Sequence, residues 1–326
     1  MSKQMQDLRA VIWPLLNPDT GFFHCDTVPW AGLEGEPGRY NFAPVRASIE
    51  RAAKIKRYAL LRVEPSAPAW CAAPVEDFVR LLGALGEAFG GERVLWGVDV
   101  VCPVPESAGD GQAAARVAQA FAAAFPHAFL FAEAGSAFEG RLQDSGRLGV
   151  IVSRETLPRY GDAWGRTPLR MRVAPDDAHA VQAAVEGHVS ILETCEGRGA
   201  NAASHAGHRF EVRTVCVDTA PDGVEATVTV ANAGILPCYT DAAFRIRLCG
   251  SDVADARVFS LPGNARDIKP GGVVPLSCKL DVSGLQRGEY DVQVGLFCAE
   301  TGYPISCGIE GRISDGYYEG RIILSL

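Results

Sequence analysis

The sequence predicts an α/β fold followed by an all-β fold: a compact (β/α)8 TIM barrel over residues 1–197 and an antiparallel β-sandwich over residues 209–326. Three observations carry this reading. Up to about residue 197, short apolar runs alternate with amphipathic helical patterns. Those runs lack polar alternation, as parallel strands covered on both faces do. After "EGRGANAASHAGHR", a small, polar stretch read as a linker at 198–208, the texture changes to segments that alternate in and out between Gly, Asp and Pro turns.

The barrel elements follow in order. "RAVIWPL" reads as the first strand and "TGFFHCDTVPW" as an irregular second. "APVRASIERAAKIK" is a helix with Pro44 in its first turn and Val45, Ile49 and Ala52 on one face. "YALLRV" is the third strand. "PVEDFVRLLGALGEAFG" repeats Val75, Phe78, Leu82, Leu85 and Phe89 at helical steps and stops at glycine. "ERVLWGVDVV" is the fourth strand, and Asp110 is placed to cap the helix after it. "HAFLFAEA", "RLGVIVS", "TPLRMRV" and "HVSILETC" supply strands five to eight, with no long helix between five and six. Eight strands in so short a span place the barrel near the low end of its usual length.

The sandwich is expected from "FEVRTVCVD", "GVEATVTVAN", "AFRIRLCG", "VVPLSCKLDV", "EYDVQVGLF" and "YYEGRIILSL".

Composition narrows the function. The 326 residues carry a net charge of -8 without a Lys/Arg cluster, which argues against nucleic acid and anionic membrane as partners. No run reaches the roughly 18 apolar residues of a membrane span. The first residues lack a signal-peptide pattern, so a cytoplasmic location is expected. The ten cysteines form no C-x-x-C pair, and buried free thiols are the expectation. With no Cys/His ligand spacing, phosphate loop, Rossmann fingerprint or G-x-S-x-G elbow, no metal or cofactor is expected.

With the barrel laid out, a resemblance follows. "NPDTGFF", Trp30 with "LEGEPGRYNF", and "ALLRV" resemble an uncharacterised glycoside-hydrolase-like family with a β-galactosidase-like (β/α)8 barrel followed by a β-sandwich. "VANAGILPCYTDAAFRIRL", "LQRGEYDVQVGLFCAETGYPIS" and "GRISDGYYEGRIIL" look like that family's sandwich. The resemblance implies an acid/base glutamate after strand four and a nucleophilic glutamate ending strand seven. Glu106 falls where the first belongs. "TPLRMRV" offers Arg170, Met171 and Arg172 where the second belongs, and no carboxylate.

Glycoside hydrolysis usually needs two carboxyl groups. Glu106 is the candidate general acid, and Glu193 on strand eight the candidate second carboxylate. Glu64, Glu133 and Glu155 end strands on the same face and are candidates for substrate binding. Arg62 either holds substrate or closes an internal salt bridge. Arg172 stands where the family keeps its nucleophile, and would bind an anion or neutralise Glu106. Were it to pair with Glu106 it would lower that pKa and oppose a general-acid role. His24, Trp30, Trp70 and Trp164 are further ligand candidates, each also compatible with a structural role.

The sequence thus supports a glycoside-hydrolase-like protein acting on a carbohydrate. Its alternatives are a non-catalytic barrel that binds a sugar or an acidic ligand, and an assembly protein using the sandwich, where a homo-oligomer contact would lie.

Overall fold

A computed structural model describes residues 2–7, 23–54, 58–104, 111–173, 177–194, 208–220, 223–250, 256–305, 307 and 315–325. In chain order its strands are β1 (Ser2–Asp7), β2 (Phe23–Pro29), β3 (Glu34–Glu36), β4 (Arg39–Tyr40), β5 (Tyr58–Glu64), β6 (Leu95–Asp99), β7 (Phe129–Glu133), β8 (Leu148–Val152), β9 (Leu169–Val173) and β10 (Ile191–Thr194). They continue as β11 (Phe210–Ala220), β12 (Gly223–Asn232), β13 (Ala242–Cys249), β14 (Arg257–Ser260), β15 (Val273–Leu280), β16 (Glu289–Cys298), β17 (Pro304–Ile305) and β18 (Tyr317–Ser325). The helices are α1 (Trp30–Leu33), α2 (Ala43–Lys54), α3 (Pro74–Phe89), α4 (Gly111–Ala124), α5 (Ala137–Leu142) and α6 (Ala178–Glu186). The chain divides into two compact units, residues 18–199 and residues 1–17 with 200–326.

The first unit is built on a seven-stranded parallel sheet, ordered β10-β9-β8-β7-β6-β5-β2. Strands two to eight of the sequence reading are therefore present and adjacent in chain order. The expected first strand, residues 9–15, lies outside the described residues, as does Asp110. A parallel sheet wound in one direction by right-handed crossovers carries its helices on one face. That outer face is apolar: Leu61, Val63, Val98, Leu130 and Ala132 from the strands pack with Phe78, Leu82 and Leu85 of α3 and with Val117 and Phe121 of α4. α3 begins with Pro74 in its first turn and buries the periodic stripe that the sequence displays. α6 is capped by Asp177, whose carboxylate accepts from the Ala180 amide at 2.9 Å. As expected, strands five and six are joined by the single short helix α5 and a 3-10 turn rather than a long helix.

The other face of the sheet curls on itself. Asp99 of β6 and Arg170 of β9 are in direct contact. They lie three strand spacings apart, roughly 14 Å on a flat sheet, so contact across them requires curvature. Phe131 of β7 fills the inside of this curl and is fully buried. Two glycines make room for its ring. A Cβ on Gly149 would sit 2.5 Å from Phe131 Cε1, and one on Gly97 2.7 Å from Phe131 Cε2. Gly149→Ala is expected to lower stability by about 1–3 kcal/mol through overpacking. The urea midpoint measures it, and an unchanged midpoint would mean that the ring can move aside.

The second unit holds two antiparallel sheets. One is ordered β1-β11-β12-β15, the other β14-β13-β16-β17 with β18 also paired to β16. β13 alternates buried and half-buried residues along its whole length. Phe210 of β11 and Phe244 of β13 meet edge to face at 5.8 Å, so the two sheets share aromatic core. Burial keeps the Cys307 thiol protonated, its pKa pushed up to about 12. One boundary of the sequence reading is corrected here. Residues 2–7, counted with the barrel, pair with β11 from Ser2–Thr219 to Asp7–Thr214. The contact that places "SKQMQD" is a backbone ladder to a strand two hundred residues away, and such ladders leave little trace in local sequence. Of the expected linker only His208 is described. No helix among the described residues is long and apolar enough to cross a membrane.

Candidate functional site

The inner face of the curled sheet carries charge where an apolar core would be expected. Asp99 ends β6, Arg170 and Arg172 lie two residues apart on β9, and Glu193 lies on β10. Period-two alternation sends both arginines to the same face of their strand. Glu193 is the register partner of Arg172, and Arg62 of β5 is the register partner of Asp99. Backbone pairing therefore sets Arg62 beside Asp99 and Arg172 beside Glu193, and the curl of the sheet brings the two pairs together.

Arg170 is the centre of this group and is 1% exposed. Its Nη1 donates to Asp99 Oδ1. Its Nε and Nη2 donate to Glu193 Oε2 at 3.0 and 2.7 Å. Its guanidinium also lies over the Phe131 ring, 5.9 Å from the centroid. Arg172 Nε adds a third bond to Glu193 Oε2 at 3.0 Å, and its Nη2 lies 3.6 Å from Asp99 Oδ2. Asp99 Oδ2 is buried without a hydrogen-bond partner among the described residues.

The two carboxylates respond differently. Burial pushes the Asp99 carboxyl above its ordinary value, against the opposing charges of Arg170, Arg62 and Arg172. Desolvation also acts upward on Glu193, but Arg170 and Arg172 outweigh it and hold that carboxyl below its ordinary value. Glu193 is thus a fixed anion near neutral pH. A general acid must carry a proton at working pH, so the environment of Glu193 opposes that role and is compatible with an electrostatic one.

The other sequence candidates separate. Glu106 lies outside the described residues. His24 is on β2, in register with Ala59. Arg62 is partly buried, and Glu64 and Glu133 are exposed at the ends of β5 and β7. Glu155 is exposed beyond β8, where a hydrogen bond from Ser153 lowers its carboxyl. Arg172 pairs with Glu193 and Asp99. Trp30 is corrected from ligand candidate to core residue: it is fully buried against Phe78, with ring centroids 5.1 Å apart, and shows no face to solvent. Its indole donates to Glu34 Oε2 at 3.1 Å. Glu34 is itself fully buried and accepts from the Gly38 amide at 2.7 Å and from Arg80 at 3.3 Å. Trp70 is half-buried and donates to the Glu34 carbonyl at 3.1 Å, so it closes the same knot. Trp164 stacks on His188 with ring centroids 4.2 Å apart.

Asp99 and Arg170 are absent from the sequence candidates. The available signal is a lone aspartate inside "VLWGVDVV", where a buried strand has no ordinary place for a charge, and an Arg-x-Arg step on a buried strand.

A cleft of about 290 Å³ opens at the ends of β5, β6 and β7, lined by none of the five charged residues. Pro65, Val100, Val104 and Phe138 form apolar walls, and Glu133 and Ser136 add polar groups. The Ser136 hydroxyl oxygen is buried and has no hydrogen-bond partner among the described residues. Clefts with apolar walls and few convergent polar groups are the common form of ligand sites.

No protein-family model matches the chain, and no curated protein matches it. Solved structures of endo-glycoceramidase II from Rhodococcus sp. overlap it at 11% identity, covering 78% of this chain and 88% of theirs. The TM-score is 0.43 for a cellobiose-like imidazole complex and for a lactosyl-enzyme intermediate. It is 0.40 for a five-membered iminocyclitol complex. Likeness at that level assigns this chain neither an activity nor a site residue.

Proposed function

We propose that the parallel-sheet unit is a glycoside-hydrolase-like barrel that binds a carbohydrate at the carboxyl ends of its strands without hydrolysing it. The observation that carries this is the state of Glu193, whose Oε2 receives three N–H bonds from Arg170 and Arg172. Arg170 also bonds Asp99, so the guanidinium occupies the space between the two inner-face carboxylates. A hydrolase must leave such a space to the sugar and a water or to a glycosyl intermediate. The cleft at the ends of β5, β6 and β7, with Glu133 and Ser136 among its lining residues, supports ligand binding at that end of the sheet. The second unit, read as a sandwich, then serves packing or self-association.

A second reading keeps hydrolysis, with Glu106 as acid and Glu193 as its anionic partner. It is favoured by the 28% exposure that Glu193 retains while ionised. One experiment separates them. The wild type, Glu106→Gln and Glu193→Gln are assayed on a panel of aryl glycosides, and glycan-array binding is measured alongside. The binding reading expects glycan retention with no turnover in any of the three. Turnover by the wild type that falls at least about 100-fold in Glu106→Gln, the scale of a lost general acid, would establish the hydrolase instead.

A further inference from the structure

We infer that the carbohydrate bound by this barrel is anionic, and that Arg62 and Arg172 hold its negative group. This rests on the carbohydrate-binding reading above and names the ligand class for that site.

The inner-face group contains three guanidiniums, Arg62, Arg170 and Arg172, and two carboxylates, Asp99 and Glu193. Its formal charge is therefore one positive in excess. Arg170 is spent: Nε and both terminal nitrogens are bound to Asp99 and Glu193. Arg172 is not. Nε is bound to Glu193 and Nη2 rests 3.6 Å from Asp99, which leaves Nη1 without a partner among the described residues, on a side chain 42% exposed. Arg62 is partly buried and makes no hydrogen bond to another described residue, although it sits in register with Asp99. A guanidinium presents five donors in a fixed fork that suits carboxylate and phosphate oxygens. A partly buried donor without a partner is costly, which applies to Arg62; an anionic group on the ligand would satisfy Arg62, meet the exposed Nη1 of Arg172 and cancel the excess charge. Glu64 and Glu133 lie at the same rim, but both are exposed, where water and salt screen them.

Arg62 is the register partner of Asp99 and Arg172 Nη2 lies 3.6 Å from it, so both arginines border the same carboxylate. A uronic acid carboxylate and a sugar phosphate share the chemistry required. Hydroxyls of a neutral sugar can accept from the open donors but leave the excess charge uncancelled.

The test uses the full chain and isothermal titration with D-glucuronate, D-glucose 6-phosphate, D-glucose and acetate. The expected result is that at least one anionic sugar binds about tenfold or more tighter than D-glucose, the worth of one charge-assisted hydrogen bond. That preference is expected to shrink with added salt and to vanish in both Arg62→Gln and Arg172→Gln. Arg62→Gln carries the test should Arg172→Gln fail to fold. Which anionic sugar prevails tells carboxylate from phosphate. Equal binding of D-glucose and the anionic sugars overturns this inference while leaving the carbohydrate reading standing. Acetate binding as tightly as D-glucuronate overturns the claim that the anion belongs to a sugar. Binding of none of the four overturns both.

Discussion

Replacing Arg170 by methionine is expected to destabilise the parallel-sheet unit by about 3–5 kcal/mol, the usual consequence of removing one partner of a buried ion pair. The side chain is 1% exposed and Asp99, which it contacts, 2%. Methionine fills much of the volume but leaves the Asp99 carboxylate buried without its nearest counter-charge. The deficit should shrink as the pH falls from 7 towards 4. Asp99 already has a folded pKa raised above its unfolded value by burial. For such a group the stability contribution is fully present below the unfolded pKa and is lost as pH rises through the folded one. Removing Arg170 raises the folded value further, so protonation relieves the variant at a higher pH. Asp99→Leu added to Arg170→Met should recover a large part of the loss, because the uncompensated charge is then gone. Urea denaturation at several pH values measures all three quantities. A single-variant loss below about 1 kcal/mol would mean that the contact holds no buried charge in place.

Trp30→Ala is expected to lower stability by about 3–5 kcal/mol, as truncation of a fully buried aromatic does. The indole packs against Phe78 and Trp70 and donates to the buried Glu34 carboxylate. The variant therefore loses packing and also strips one donor from a fully buried acid. Gly38 and Arg80 still reach Glu34, so the β3–β4 hairpin loosens rather than disappears. Below its melting transition the variant should keep whatever glycan binding the wild type shows under the reading proposed above. A variant with wild-type stability and lost glycan binding would return Trp30 to the role of a sugar platform.

The two cases show what local sequence conveys. Trp30 and "LEGEPGRYNF" stand out in the sequence, but the reason they stand together is the Glu34 knot, which also uses Arg80 forty-six residues away. Arg172 was legible as a strand-seven arginine in place of a carboxylate. Its partners were not, because Glu193 and Asp99 come from two other strands, and only the register of the sheet says which residues face each other. The exposed glutamates Glu64, Glu133 and Glu155 were placed at strand ends by counting alone; Glu64 and Glu133 are the last residues of β5 and β7, while Glu155 lies beyond the end of β8 at Val152.

By itself the sequence determined the apolar strands two to eight, the helices between most of them, and the change to alternating strands after the linker. These follow from hydrophobic periodicity, which is a local property of the chain. Tertiary structure alone decided that β1 pairs with β11, that Phe131 needs Gly97 and Gly149 beside it, and that two arginines hold Glu193 as an anion. The physical reason is the same in each case: a long-range register or a close approach between strands sets the contact. Charges at buried positions take their meaning from the partner that desolvation forces upon them, and that partner is fixed only when the sheet has curled.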